Sequence, residues 1–193
     1  MGIVCPFFVF MGADCAHFSV LGAIYMRNYS RFLAHAAIIA ALYAVLCYVQ
    51  NLILPGSASW AIQMRAAEAL CVLAFFTPAA IPGLGLGCLL FNLSFAGALP
   101  LDFLVGTLAT YFAAKFMWWT RNRKVCNYPL FGMLMPALFN ALLVGWELSV
   151  YIGGGFWINA VYVAIGEAAV LLSVGTLLYF AMKRRNLDTR LFG

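Results

Sequence analysis

Long apolar runs alternate with short polar interruptions along the chain, and this pattern predicts membrane-spanning helices. Residues 33–54 form 22 consecutive positions without Asp, Glu, Lys or Arg, which is enough to cross the roughly 30 Å hydrocarbon core of a bilayer as one helix. Residues 66–119 are almost continuously apolar, and their length fits two long spans or three shorter ones. Two more runs, 129–152 and 156–182, are separated by three glycines, which are typical of a connection between helices.

Eight of the eleven Lys and Arg residues fall in three dense clusters, which the positive-inside rule places in the cytoplasm. The number of spans between successive clusters must then be even. One span before residue 60 therefore requires three within 66–119, separated at Pro78/Pro82 and at Gly97/Pro100, because proline ends or kinks a helix. The sequence thus predicts an all-α integral membrane protein, a bundle of six transmembrane helices with both termini in the cytoplasm. The clusters are Arg27 and Arg31; Arg121, Arg123 and Lys124; and Lys183, Arg184 and Arg185.

The composition indicates lipid rather than water as the main solvent. Of the 193 residues, 66% are hydrophobic and 9% are charged, against about a quarter charged in an ordinary soluble domain. The net charge of +5 comes from the flanking clusters, so it does not indicate a nucleic-acid-binding face. The six cysteines form no CxxC motif. We interpret them as small apolar residues and expect no metal site and no other cofactor.

The first 25 residues do not fit this topology. They are apolar, but they lack the basic start of a signal peptide and carry Asp14 and His17 in mid-stretch. A seventh span there would place the N-terminus outside the cell. We therefore interpret Met26, directly followed by Arg27, as the initiator, so that residues 1–25 are a doubtful extension and residues 26–193 form the six-helix domain. A natural N-terminus found before Met26 by mass spectrometry would contradict this interpretation.

The predicted topology places five charged residues on the outer side of the bundle. Charged side chains inside a bilayer are costly and commonly mark a binding or transport site, so we predict that these five converge on one site. A purely structural alternative for one pair is that Arg65 and Glu68, three residues apart, neutralise each other. The five residues are Arg65, Glu68, Asp102, Glu147 and Glu167.

Amides and an aromatic ring are predicted to complete this site. Asn140 and Glu147 are two helical turns apart and share a helix face, and Asn159 lies near the outer end of the last helix. Trp157 is a candidate stacking wall, with an interfacial aromatic belt as the alternative. Arg65 against four ionised acids leaves a net charge of −3, which favours a ligand that is cationic or rich in N–H donors. A guanine-like edge fits, because one carboxylate can accept two N–H bonds from it.

Small residues on the first predicted helix indicate close helix packing. Ala36, Ala40 and Ala44 form one ridge at four-residue spacing, and Ala37 and Ala41 form a second. The spacing fits docking of a partner protein, and it fits equally well contact with another helix of the same bundle.

The GLGLG run at residues 83–87 resembles a phosphate-binding loop only superficially. No Lys-Ser/Thr pair follows it and no strand precedes it, so we interpret Gly83 and Gly87 as positions of tight helix packing. The chain also carries no HExxH or GxSxG motif. We therefore predict that it is not an enzyme and that any ATP is hydrolysed by partner subunits.

Five blocks of sequence stand out in order: MRAAEAL (64–70), FFTPAAIPGLGLGCLLFN (75–92), LDFLVGTLATYFAA (101–114), LFNALLVGWEL (138–148) and FWINAVYVAIGE (156–167). These blocks resemble the QueT family, the substrate-binding (S) components of energy-coupling factor (ECF) transporters for queuosine precursors. The resemblance implies a six-helix protein that captures a 7-deazaguanine. It also implies docking, through the alanine ridge of the first helix, onto a transmembrane T subunit that carries two ATPases.

The resemblance also bears on which polar positions form the site. Carried over position by position, it adds Asn92 to the residues above, while the assignment of ligand contacts remains our own inference. The full set is Arg65, Glu68, Asn92, Asp102, Asn140, Glu147, Asn159 and Glu167.

The predicted function is uptake of a queuosine precursor such as 7-aminomethyl-7-deazaguanine across the cell membrane. Residues 55–59 are the predicted gate. The donor edge of the base is expected on Glu147 or Glu167, and the ammonium group on Asp102 or Glu68. The alternatives are an S component for another nitrogen heterocycle such as tryptophan, an integral-membrane enzyme that uses the acids as general acid and base, and a structural scaffold without a ligand.

Overall fold

A computed structural model describes residues 15–55, 65–95, 99–123, 125 and 128–184, with side chains from residue 28 onward. The chain divides into two compact units, residues 1–35 and 36–193. In the first unit, residues 15–35 are helical. In the second unit the described elements are also helical, apart from two backbone hydrogen bonds that pair Val125 with Tyr128.

The described residues contain seven α-helices, one 3₁₀ helix and one π-helical segment. The last three elements follow one another without a break. In chain order the elements are α1 (Cys15–Ile53), the 3₁₀ helix (Ala66–Phe75), α2 (Ala80–Ser94), α3 (Asp102–Thr120), α4 (Leu130–Met133), α5 (Met135–Tyr151), α6 (Phe156–Val170), the π segment (Leu171–Gly175) and α7 (Thr176–Arg184).

Three described segments are long and apolar enough to cross a membrane: Asn28–Ile53, Leu130–Tyr151 and Phe156–Arg184. They agree with the first and the last two predicted spans. The apolar helices Ala66–Phe75 and Ala80–Ser94 are shorter. The ten residues of the first extend about 20 Å at the 3₁₀ rise, less than the hydrocarbon core. The count of six spans therefore stays a prediction.

The predicted division of residues 66–119 into three helices is confirmed, but one of the predicted break points is wrong. Pro78 lies between the 3₁₀ helix and α2, and Pro100 precedes α3. Pro82, in contrast, lies inside the first turn of α2. Proline is tolerated there because the first N–H groups of a helix have no intrahelical acceptor. Gly97 lies outside the described residues.

Helix α1 continues on the N-terminal side of Met26 to Cys15. The predicted start at Met26, and with it the separation of residues 1–25 from 26–193, is not tested by this arrangement and stays a prediction.

Helix α2 packs against residues 36–43 of α1 with their backbones almost touching. A Cβ atom added at Gly83 would lie 2.7 Å from the Ala36 carbonyl oxygen, and one at Gly87 would lie 2.7 Å from the Ala40 carbonyl oxygen. Only glycine permits this approach. The interpretation of Gly83 and Gly87 as positions of tight helix packing is confirmed.

This contact decides between the two uses predicted for the alanine ridges. Ala36 and Ala40 are each 5% exposed because they face α2 of the same bundle, and Ala44 is half-buried. At Ala36 and Ala40 the prediction of a docking surface is therefore wrong, since glycines of α2 already occupy that face; at Ala44 it stays a prediction. Ala37 and Ala41 are exposed, so only the second ridge is open to a partner.

Substitution of Gly87 tests the close contact. We expect Gly87→Ala to destabilise the protein by about 1–3 kcal/mol, because the new methyl group must push α1 and α2 apart. The matched control is Gly85→Ala on the same helix, where the added Cβ would make an ordinary 3.6 Å contact with Tyr111. This control should be neutral or stabilising by up to about 1 kcal/mol, because alanine favours helix over glycine. Thermal unfolding in detergent measures both, and equal melting temperatures would contradict the contact.

Candidate functional site

A buried ion pair joins the start of the 3₁₀ helix to the start of α3. Nη2 of Arg65 donates to both carboxylate oxygens of Asp102, at 3.2 Å each. Arg65 is 4% exposed and Asp102 is 6% exposed. The alternative in which Arg65 pairs with Glu68 is therefore wrong: the neutralising acid comes from another helix, 37 positions along the chain.

Asn92 of α2 completes this group. Its amide donates to the backbone oxygen of Asp102 at 2.8 Å and to the sulfur of Cys88 at 3.5 Å. Gly106, one turn into α3, leaves the necessary room, since a Cβ atom there would lie 3.0 Å from the Asn92 amide nitrogen and 3.1 Å from Asp102 Oδ1. Polar side chains at the ends of the 3₁₀ helix, α2 and α3 therefore meet at one place.

Glu68 of the 3₁₀ helix is fully buried and accepts three side-chain hydrogen bonds. Oε1 accepts from the Tyr43 hydroxyl at 2.5 Å and from Thr110 at 3.2 Å, and Oε2 accepts from the Cys71 thiol at 3.0 Å. Three neutral donors thus compensate this carboxylate for the loss of water. With both of its oxygens bonded, Glu68 is held in one orientation.

Glu147 of α5 and Glu167 of α6 are buried in a different state. Glu147 has no exposed surface, and neither of its carboxylate oxygens has a hydrogen-bond partner among the described residues. Glu167 is 1% exposed; its Oε2 has no partner there, while the Asn140 side chain is within hydrogen-bonding reach of its carboxyl group. Buried polar atoms are nearly always bonded, so these three oxygens without partners set Glu147 and Glu167 apart from the other two acids.

Electrostatic interactions link these groups into one cluster. Arg65 interacts with both Glu147 and Glu167, while Asp102 acts on Glu147 and Glu68 acts on Glu167. Four acids and one arginine carry a net charge of −3 when all are ionised. The structure thus brings the five charged residues, together with Asn92 and Asn140, into one buried polar cluster; that this cluster binds substrate stays a prediction.

The comparison with family models accounts for most of the chain. Residues 33–184 match the model described as QueT transporter, a stretch that contains every residue of the buried polar cluster. The chain belongs to the QueT transporter family. It is therefore a membrane transport protein, and the resemblance seen in the sequence is confirmed. No curated protein and no solved structure matches the chain.

Two predicted site residues of this QueT-family chain make their described contacts with residues outside the cluster. The Trp157 ring is 75% exposed and makes an edge contact with Phe156 at 5.0 Å between centroids. Its ring is thus directed away from the buried residues, and the stacking role stays a prediction that this structure does not support. Asn159 is buried, and its amide donates to the Gly153 carbonyl oxygen at 2.8 Å. It thus holds the loop between α5 and α6.

That loop needs its glycines for conformational reasons. Gly153, Gly154 and Gly155 have φ angles of 86°, 83° and 83°, which other residues rarely adopt. The gate predicted at residues 55–59 lies outside the described residues except for Pro55.

Four members of the cluster were missed by sequence reasoning. Cys71 and Cys88 were interpreted as apolar fillers, but the first donates to Glu68 and the second accepts from Asn92. Thr110 carried a usable signal, since it lies eight residues after Asp102 and so on the same face of α3. Tyr43 follows Ala40 by three residues, on the face of α1 that meets α2. A search for hydroxyls on the same helix face as an acid would have found Thr110 but not Tyr43, because α1 carries no Asp or Glu.

Proposed function

We propose that this QueT-family protein is the substrate-binding S component of an ECF transporter. In this proposal it takes up a queuosine precursor that carries a 7-deazaguanine base, such as 7-aminomethyl-7-deazaguanine. Six membrane-spanning helices with both termini in the cytoplasm would hold the base in the buried polar cluster. The ligand is carried without chemical change.

The proposal rests on the unpaired, buried carboxyl group of Glu147. Its two buried carboxylate oxygens lack partners among the described residues, and a carboxylate buried in that state is costly without a donor. The ring N–H and the exocyclic amine of a guanine-like base are two parallel donors, which one carboxylate accepts in the bidentate geometry familiar from arginine. A base of this kind satisfies both oxygens at once.

The charge of the cluster supports the same class of ligand. Arg65 is already neutralised by Asp102, so an anionic ligand would find no free cation among the described residues of the cluster. An excess of acids instead favours ligands with N–H donors or with a positive charge.

The exposed ridge of Ala37 and Ala41 supports docking on a transmembrane T subunit. Small residues on a lipid-facing surface allow another helix to approach closely, and these two are exposed on α1 while Ala36 and Ala40 are used inside the bundle. In the proposed complex two ATPase subunits hydrolyse ATP, and the S component tilts to release its ligand on the cytoplasmic side.

Binding to the purified protein tests the proposed cargo. With the protein in lipid nanodiscs, we expect calorimetry to show saturable one-to-one binding of 7-aminomethyl-7-deazaguanine that excess tryptophan does not displace. We also expect mass spectrometry to recover the base unchanged after long incubation. Displacement by tryptophan would assign a different cargo, chemical conversion would indicate an enzyme, and the absence of any binding would contradict the proposal.

A further inference from the structure

The free acceptor atoms in the buried polar cluster are divided unequally between two carboxyl groups. Among the described residues, Glu147 has two buried oxygens without hydrogen-bond partners, whereas Glu167 has one, its Oε2. Both residues are at most 1% exposed. One carboxyl group is therefore suited to a pair of parallel donors, and the other to a single donor.

The remaining acids of the cluster have no comparable capacity. Both oxygens of Asp102 accept from Arg65, and Glu68 accepts from Tyr43, Thr110 and Cys71. The sequence had favoured Asp102 or Glu68 as the partner of a ligand ammonium group. Their existing bonds argue against both, because each of their oxygens already accepts a hydrogen bond, whereas three oxygens of Glu147 and Glu167 accept none among the described residues.

We propose that Glu167 selects for a positive charge on the ligand, by accepting a hydrogen bond from a cationic side arm while Glu147 holds the donor edge of the ring. This inference rests on the proposed function. It adds that the site distinguishes two deazaguanines that share the same ring: one with an aminomethyl arm, which is cationic at neutral pH, and one with a nitrile arm, which is neutral.

The surroundings of Glu167 support this division. The groups that act on it are Glu68, Arg65 and Asn140, and Arg65 is already bound to Asp102. Two neighbouring carboxyl groups therefore share one neutralised cation, a setting that an added ammonium group stabilises. A nitrile has no proton to donate, and its electron-rich nitrogen would be repelled by the free oxygen of Glu167.

A comparison of two ligands on three proteins tests the inference. The probes are 7-aminomethyl-7-deazaguanine and 7-cyano-7-deazaguanine, titrated into wild type, Glu167→Gln and Glu147→Gln in nanodiscs. For wild type we expect the aminomethyl base to bind about ten- to a hundredfold more tightly, the range for one hydrogen bond to a charged group. In Glu167→Gln this preference should fall to about threefold or less. In Glu147→Gln both bases should weaken by a similar factor, so that the preference remains.

Each outcome decides one of the two claims. If wild type binds neither base, the proposed function fails. If wild type binds both bases equally, or if Glu167→Gln keeps the full preference, the proposed function stands and the role of Glu167 is overturned. Glu167→Asp keeps the charge on a shorter side chain and should retain a measurable preference for the aminomethyl base. Melting temperatures show that each variant is folded, and the wild-type comparison needs no variant.

Discussion

Glu147→Gln is expected to weaken binding of 7-aminomethyl-7-deazaguanine by about thirtyfold to several thousandfold, which corresponds to the loss of about 2–5 kcal/mol for a buried charge-assisted contact. Glutamine has nearly the same shape but no charge. It also presents an NH₂ group where the ring of the ligand presents its own donors, so one of the two hydrogen bonds becomes a donor–donor clash. Calorimetric titration of the variant in nanodiscs measures the change.

The control for this substitution is Trp146→Phe, at the adjacent position of α5. Trp146 is 49% exposed, so its ring points away from the buried carboxyl group, and the affinity of this variant should equal that of wild type. Binding to Glu147→Gln within about threefold of wild type, a difference of less than 1 kcal/mol, would show that the base does not contact Glu147.

Asp102→Asn is expected to destabilise the protein by about 3–5 kcal/mol, the typical cost of removing one partner of a buried ion pair. Arg65 is 4% exposed, and its Nη2 donates to both oxygens of Asp102. Without that charge the buried guanidinium loses the one carboxylate that forms an ion pair with it among the described residues. We expect this loss of stability to appear as a large fall in the melting temperature, measured in detergent without ligand.

A double substitution separates the cost of an unpaired charge from the cost of lost packing. In Arg65→Met/Asp102→Leu both charges are replaced by apolar side chains of similar volume, and such replacements are often neutral or stabilising. We therefore expect the double variant to melt well above Asp102→Asn. If the double variant were the less stable of the two, the ion pair would be stabilising in itself, contrary to this account.

The spacing of alanine and glycine shows how much of the helix packing can be predicted from a local sequence pattern. Repeats of small residues at four-residue spacing indicated that two helix surfaces come close, and this holds at Gly83 and Gly87. The pattern could not identify the partner, because Ala36/Ala40 and Ala37/Ala41 have the same spacing. Only the rotation of α1 about its axis decides which ridge faces α2.

For the charged residues, too, the sequence predicted that groups come together but not which of them pair. Their presence in apolar segments predicted one buried cluster, since isolated charges in a bilayer are too costly to be scattered. The pairing was not predictable from spacing: Arg65 is three residues from Glu68 and 37 from Asp102, yet it binds Asp102. Asp102 is the favoured partner because Glu68 already accepts hydrogen bonds from Tyr43 and Thr110 of other helices.

The sequence by itself determined that this protein is helical and embedded in a membrane, and it predicted that the four acids of residues 66–182 lie together. These properties follow from composition and from the regular rise of a helix, which are local. Only the tertiary structure decided which oxygens of those acids already have donors and which do not. That distinction depends on how neighbouring helices are rotated and how closely they approach, and these are set by packing across the whole bundle.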